Sequence, residues 1–507
     1  MTDGFLDSPA GLSLSSRIEF LLRDSALYGG ASAISKLFSL FLFPVLARCF
    51  TTKEFGVIDA FTVLGTLISI FFVLGQDSAV ARYFYEYEDE ETRKQVISQA
   101  FFFQIVLLVL ILPLLFLSSG HLATSFMAKE GYTSLACLVI AYVPFAVIIN
   151  FSRNLLKWTF ARTRFIIISL GSTIVTVLLV LFFIFILKSG IYGVFWATLL
   201  VNAVFAVLGL YFCRTWLVLP KNLHHLKPLL VFGLPYGGIS VLGASIPALD
   251  RTFINHFLSL EALGLYAAGY KIATMIQLPI QAFQTAWGPF SLSIYKENNA
   301  QETYDKVLLY FTIVICLIVL SLAFLAEPVI WILASSRYMI ASMVVFPLAL
   351  AFSLESMSWI TGIGIDLSKK SYIALYCYVI FIATTALAIW FTVGRYGILG
   401  VAFSVLVGHL VKSVVYTLLA YRCYPLRFSL KKPILLISLT FILGIAGQRP
   451  IMASLLYSYL MRGAILILMT VMVWKVLLSQ RERDLFSEKI HQYPLRKFHK
   501  GMRDIQG

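Results

Sequence analysis

The ionisable side chains inside apolar runs are where this sequence offers chemistry. Lys36 stands near the middle of a run at residues 25–47, and Tyr28, Ser32, Ser35, Lys36 and Ser39 recur there at helical spacing. Lipid would not tolerate such a polar stripe, so it should face a water-filled cavity. Arg48 stands at the outer end of the same run. In the second half of the chain a run at residues 229–250 ends in Asp250-Arg251, with His256 one to two turns on. The run at 262–286 carries Tyr270, Thr274, Gln277, Gln281 and Gln284 on one face, with Lys271 at its edge, and a later run holds His409 and Lys412. Cations outnumber anions within the runs, and ammonium and guanidinium groups pair with phosphate oxygens. The chemistry on offer is therefore reversible binding of an anion, with Lys36, Arg48, Arg251, Lys271, Ser32 and Gln277 as candidate cavity residues. Glu355 and Asp366, flanking the inner end of the run at 338–360, and Arg153 and Lys157, at the inner end of the run at 134–152, read instead as interfacial anchors.

The elements that must position these residues are membrane spans. Apolar residues make up 60% of the 507-residue chain and charged residues only 13%. A soluble domain carries about 25% charged residues, so this chain lacks the polar surface to face water all round. A soluble enzyme, a nucleic-acid-binding domain and a disordered scaffold are excluded. Fourteen runs are long enough to span, near 25–47, 55–75, 100–118, 134–152, 165–187, 191–212, 229–250, 262–286, 307–326, 338–360, 372–393, 397–421, 433–448 and 457–478; the thirteenth is short. The first run is preceded by Asp3, Asp7, Glu19 and Asp24 and is too long for a cleavable signal. With the N-terminus placed in the cytoplasm, 28 of the 40 Lys and Arg fall in cytoplasmic segments, 8 in outer loops and 4 inside spans. That bias orients both termini inward, and the net charge of +15 reads as cytoplasmic loops meeting anionic lipid headgroups.

The chain also repeats itself. Tyr28-Gly29-Gly30-Ala31-Ser32 recurs as Tyr236-Gly237-Gly238-Ile239-Ser240, and Gly56 falls on Gly264 at the same offset. Further on, Arg162 and Phe165 fall on Lys369 and Tyr372, and Gly190-Ile191-x-Gly193-Val194 on Gly397-Ile398-x-Gly400-Val401. The expected organisation is a cytoplasmic head (1–24), a six-helix lobe (25–212), a cytoplasmic loop (213–228), a second six-helix lobe (229–421), two extra helices (422–478) and a basic tail (479–507). An even number of spans per repeat makes the lobes parallel repeats, and sites in such architectures lie between them. This is an all-α polytopic membrane protein with a transporter's plan.

Enzymatic signatures do not appear. There is no HExxH, GxSxG or Walker loop, and no large outer loop to carry a polymerase or ligase site. Cys49, Cys137, Cys213, Cys316, Cys377 and Cys423 are scattered, so neither a disulfide framework nor a zinc site is expected. The acidic stretch Glu86, Glu88, Asp89, Glu90 and Glu91 lies beside Arg82, Arg93 and Lys94 and reads as a solvated amphipathic helix. No metal and no cofactor are expected.

Several motifs carry a family resemblance. They are Leu46-Ala47-Arg48 through Glu54-Phe55-Gly56, Gly75-Gln76-Asp77-Ser78-Ala79 with Arg82-Tyr83-Phe84, and Glu91-Thr92-Arg93-Lys94. Leu249-Asp250-Arg251, Gly264-Leu265-Tyr266-Ala267-Ala268-Gly269-Tyr270-Lys271 and Ala286-Trp287-Gly288-Pro289-Phe290 follow in the second half, and Gly362-Ile363-Gly364 before Lys369-Lys370 is weaker. Over roughly residues 20–420 the chain resembles the Wzx-type polysaccharide flippases. These are the polysaccharide-transporter branch of the multidrug/oligosaccharidyl-lipid/polysaccharide exporter superfamily. The resemblance implies a V-shaped cavity between two lobes, set in a bacterial cytoplasmic membrane. It implies flipping of undecaprenyl-pyrophosphate-linked oligosaccharide for O-antigen, capsule or exopolysaccharide, with no chemical step. It implies that Lys36, Arg48, Arg251 and Lys271 hold the pyrophosphate and that the last two helices form a groove for the prenyl tail. Membrane lipids, a polysaccharide polymerase and a chain-length regulator are the implied partners; nucleic acid is not one. The competing reading is a multidrug or small-molecule cation antiporter of the same superfamily, working through carboxylates such as Asp59, Asp77 or Glu355, all of which look terminal in their runs.

Overall fold

The computed structural model describes residues 30, 34–35, 37–38, 40–127, 131–295, 297, 299–368, 370, 372–448, 455–473, 475, 480 and 483. Every regular element among them is a helix. In chain order these are α1 (Leu40–Cys49), α2 (Thr52–Val73), α3 (Gln76–Glu86), α4 (Glu90–Leu117), α5 (Ser119–Met127), α6 (Thr133–Trp158), α7 (Arg162–Phe185) and α8 (Gly190–Cys213). There follow α9 (Leu226–Phe257), α10 (Leu260–Ala273), α11 (Gln277–Ile294), α12 (Ala300–Leu333), α13 (Ser342–Thr361), α14 (Ile363–Leu367), α15 (Tyr372–Cys423), α16 (Lys431–Gln448) and α17 (Leu455–Met472). Nine helical stretches among the described residues are long and apolar enough to cross a membrane, and shorter apolar helices accompany them. The chain is a multi-pass membrane protein.

Three of the helices start where a side chain satisfies a free backbone N–H group. Thr51 and Glu54 form a capping box before α2, Asp89 accepts from the Thr92 N–H at the start of α4, and Ser259 accepts from the Ala262 N–H at the start of α10. The Thr92 backbone and hydroxyl donors hold the exposed Asp89 carboxyl below the usual carboxylate range. Apolar side chains face outward, as a lipid solvent requires: on α4, Val109, Leu110, Leu114 and Leu117 are all exposed. The acidic stretch expected as an amphipathic helix resolves into α3, which buries Ala79, Val80 and Phe84 against Phe101, Phe151 and Leu155, and the capped start of α4.

Several expected spans are reshaped. The run at 262–286 breaks into α10 and α11 at a 3-10 turn, Thr274–Ile276. The runs at 372–393 and 397–421 are the two arms of α15, which breaks at Gly397 (φ 57°, ψ −141°). The run expected to stop at 250 continues to Phe257. A π-turn, Ile167–Gly171, interrupts α7.

The repeat-related glycines meet face to face. A Cβ on Gly56 would lie 2.6 Å from the Leu260 carbonyl oxygen and 2.8 Å from the Gly264 nitrogen, and one on Gly264 would lie 1.8 Å from the Thr52 carbonyl oxygen. Only glycine at both positions allows α2 and α10 to pack backbone to backbone. Gly75 does the same between α2 and α3: it takes a left-handed conformation (φ 69°) and abuts the backbone of Gly233 and Gly237 on α9.

The chain divides into two compact units: residues 1–297 with 326–426, and residues 298–325 with 427–507. Within the second, Gln301 Nε2 donates to the Arg427 carbonyl (2.7 Å) and the Arg427 N–H donates to Gln301 Oε1 (3.1 Å). The nearly buried Arg462 donates to the carbonyls of Gly447 (3.0 Å) and Phe324 (3.4 Å).

Candidate anion-binding cavity

The first unit holds a cavity of about 320 Å³ lined by Asp59, Thr62, Val63, Thr66, Ile70, Ala244, Pro247, Arg251, Tyr270, Lys271 and Thr274. Three helices build it. On α2 the lining positions 59, 62, 63, 66 and 70 follow helical spacing and make one face. The hydroxyls of Thr62 and Thr66 donate back to the carbonyls of Ile58 (2.7 Å) and Thr62 (2.9 Å), which leaves their oxygens as acceptors toward the cavity. From α9 come Ala244, Pro247 and Arg251, one turn apart in succession. Pro247 has no N–H to complete the helical ladder. The end of α10 supplies Tyr270 and Lys271, and the 3-10 turn that follows supplies Thr274.

Arg251 is 1% exposed and Asp250 is fully buried. Arg251 Nε donates to Asp59 Oδ2 at 2.9 Å, and its Nη1 lies 3.8 Å from Asp250 Oδ2. The guanidinium lies over the ring of Tyr270 at 4.2 Å and near that of Tyr266 at 5.5 Å. Tyr266 Oη donates to Asp250 Oδ2 at 2.9 Å. A guanidinium so buried needs both the carboxylates and the aromatic faces. Lys271 is half-buried and makes no ion pair among the described residues. One fixed guanidinium and one free ammonium thus share a pocket with acceptor hydroxyls.

Of the residues singled out from sequence, Arg251 and Lys271 come together here. Arg251 is an interior residue of α9, which continues to Phe257. Arg48 is exposed at the end of α1, where it donates to the Ile332 carbonyl and its own carbonyl accepts from Arg337 at 3.4 Å; it is not in the cavity wall. Gln277 opens α11 and is also outside the wall. Lys36 and Ser32 lie outside the described residues.

Sequence reasoning missed two partners. Asp59, read as terminal, stands well inside α2 and carries the ion pair to Arg251. Its signal was legible: Asp59, Thr62 and Thr66 stand at i, i+3 and i+7 in an otherwise apolar run. Glu355, read as an interfacial anchor, lies inside α13 at the centre of a buried network. Lys412 Nζ donates to its Oε2, His409 Nδ1 lies 3.2 Å from the same oxygen, and Tyr378 Oη donates to Oε1 at 3.1 Å. The Lys412 ammonium also sits 3.9 Å from the centre of the Tyr378 ring.

The chain is thus an all-helical multi-pass membrane protein with charged side chains turned inward around a cavity. Residues 45–344 match the family described as polysaccharide biosynthesis protein, and the chain belongs to that family. Two relatives come from Haemophilus influenzae. One, described as an uncharacterized membrane protein, is 26% identical over 286 residues, 55% of this chain and 67% of the relative. The other, Lsg locus putative protein 1, is 23% identical over 324 residues, 62% of this chain and 77% of the relative. Among solved structures, the lipid II flippase MurJ in an inward closed conformation superposes with a TM-score of 0.70 at 15% identity, over 91% of this chain and all of that one. An outward-facing multidrug resistance MATE transporter of the MOP superfamily superposes with a TM-score of 0.61 at 17% identity, over 80% and 96%. The fold is therefore the one these flippases and transporters share.

Proposed function

We propose that this protein flips a lipid-linked oligosaccharide across the bacterial cytoplasmic membrane for surface polysaccharide assembly, without itself carrying out a chemical step. The observation that carries the reading is the cavity in which Arg251 and Lys271 face the same space. The undecaprenyl pyrophosphate linker is the charged part of such a substrate, and two cations of different geometry suit it: a planar fork for two oxygens and a mobile point charge for a third. The threonine hydroxyls suit the adjoining sugar. Membership of the polysaccharide biosynthesis family and the MurJ-like fold support the same reading. In it, residues 25–212 and 229–421 form two six-helix lobes among fourteen spans. Both termini are cytoplasmic, and the lobes rock about the cavity. The contact of Gly56 with its repeat counterpart Gly264 supports that symmetry. The cation-antiporter reading is weaker, because two of its three candidate carboxylates, Asp59 and Glu355, are already neutralised by Arg251 and Lys412.

Complementation of a deletion strain tests the proposal, with surface polysaccharide and accumulated lipid-linked precursor normalised to membrane-inserted protein. Lys271→Ala and Lys271→Gln should lower transport at least about tenfold, as expected for loss of one charge-assisted contact, and Lys271→Arg should retain a measurable part. Full transport by Lys271→Ala at normal abundance would sink the phosphate role of this cavity.

A further inference from the structure

The cavity's fixed cation is already occupied. Arg251 Nε is engaged by Asp59, while its buried Nη1 has no hydrogen-bond acceptor. Its two carboxylate neighbours differ in kind. Asp250 is fully buried, is held by Tyr266, and lines no part of the cavity. The Asp59 side chain is 20% exposed and stands in the wall with Thr62 and Thr66. The formal charges of Asp59, Asp250, Arg251 and Lys271 cancel, so the resting site has no net charge with which to hold an anion.

We propose that Asp59 is a resident counter-ion, a specificity-determining residue that a pyrophosphate headgroup must displace from Arg251. The inference rests on the phosphate-binding reading of the cavity and assigns it a selectivity rule. A monophosphate has one phosphoryl group to share between Arg251, where it must replace Asp59, and Lys271, and so holds both less well than two linked phosphoryl groups do. A pyrophosphate, with a second charged group, can do both. When the headgroup departs, the carboxylate reclaims the guanidinium, so one residue sets both discrimination and release. Asp59 lies on α2 and Arg251 on α9, so the exchange also unfastens a side-chain tether between these helices.

The test titrates the purified full-length protein in detergent with inorganic pyrophosphate, farnesyl pyrophosphate and farnesyl monophosphate. The wild-type chain should prefer farnesyl pyrophosphate to the monophosphate by about tenfold or more, ~1.4 kcal/mol. Asp59→Asn should bind farnesyl pyrophosphate about tenfold more tightly than wild type, narrow that preference, and flip substrate more slowly at equal abundance because release is impaired. Asp59→Glu, which keeps the charge, should stay near wild type. If wild type binds both farnesyl ligands equally, the counter-ion role is overturned on the unmodified chain, whatever the variants do. If wild type binds pyrophosphate and a folded Asp59→Asn binds no more tightly, Asp59 is only a structural partner and the proposal fails while the phosphate site stands. Binding of inorganic but not farnesyl pyrophosphate overturns a lipid headgroup as the occupant. If Lys271→Gln and wild type alike bind none of the three, the phosphate reading itself falls.

Discussion

Replacing Glu355 should cost more than replacing its most intimate partner, Lys412. Glu355 is the one anion in a buried network of two potential cations and a phenol: Oε2 accepts from Lys412 and faces His409, and Oε1 accepts from Tyr378. The side chains of Lys412 and His409 are 3% and 8% exposed. Glu355→Leu removes every acceptor and leaves an ammonium buried without a counter-charge, a loss of about 3–5 kcal/mol. Glu355→Gln keeps acceptor capacity but not the charge, so it should fall below that range, near the 1.5–3 kcal/mol of a hydrogen bond to a charged group. Lys412→Met keeps the aliphatic stem against the Tyr378 and Phe381 rings and leaves Glu355 with its hydrogen bond from Tyr378 and its contact with His409, so it should cost least. The double variant Glu355→Gln with Lys412→Met should recover part of the single losses, with a coupling of about 1–3 kcal/mol. SDS-titration unfolding of purified protein reads all four. Additive losses, or a Lys412→Met penalty larger than that of Glu355→Leu, would refute the account of this network.

Gly264→Val should prevent α2 and α10 from closing, because even its Cβ would sit 1.8 Å from the Thr52 carbonyl oxygen; overpacking of this kind costs about 1–3 kcal/mol or more. Folded yield in membranes should drop sharply, and a normal yield would mean that the backbones do not need to touch. Arg462→Met should destabilise the second unit by about 1–3 kcal/mol by stranding the Gly447 and Phe324 carbonyls. An unchanged SDS midpoint would show that those carbonyls are satisfied in other ways.

Hydropathy alone was enough to identify a helical membrane protein. In lipid the backbone must satisfy itself within each segment, so among the described residues the apolar runs fold as helices, with nine helical stretches long and apolar enough to cross a membrane. The cavity was legible for a related reason: polar residues in a span are expensive, so Arg251 and Lys271 announce a cavity by being there at all. The family resemblance, carried by ordered motifs such as Gly264 through Lys271, pointed to the family that residues 45–344 match. What the sequence left open was pairing. A lone Asp59 or Glu355 in one apolar run gives no sign of the cation in another, because spans adjacent in space are separated by long stretches of chain: Asp59 and Arg251 are 192 positions apart, and Glu355 and Lys412 are 57 apart. The ends of runs misled for the same reason. Arg251 stands at the end of its run when the helix is taken to stop at residue 250, but α9 continues to Phe257, and Asp59, Tyr266 and Tyr270 surround the guanidinium inside the protein. One-dimensional spacing determines which residues must leave lipid, and tertiary packing alone decides which opposite charges they meet when they do.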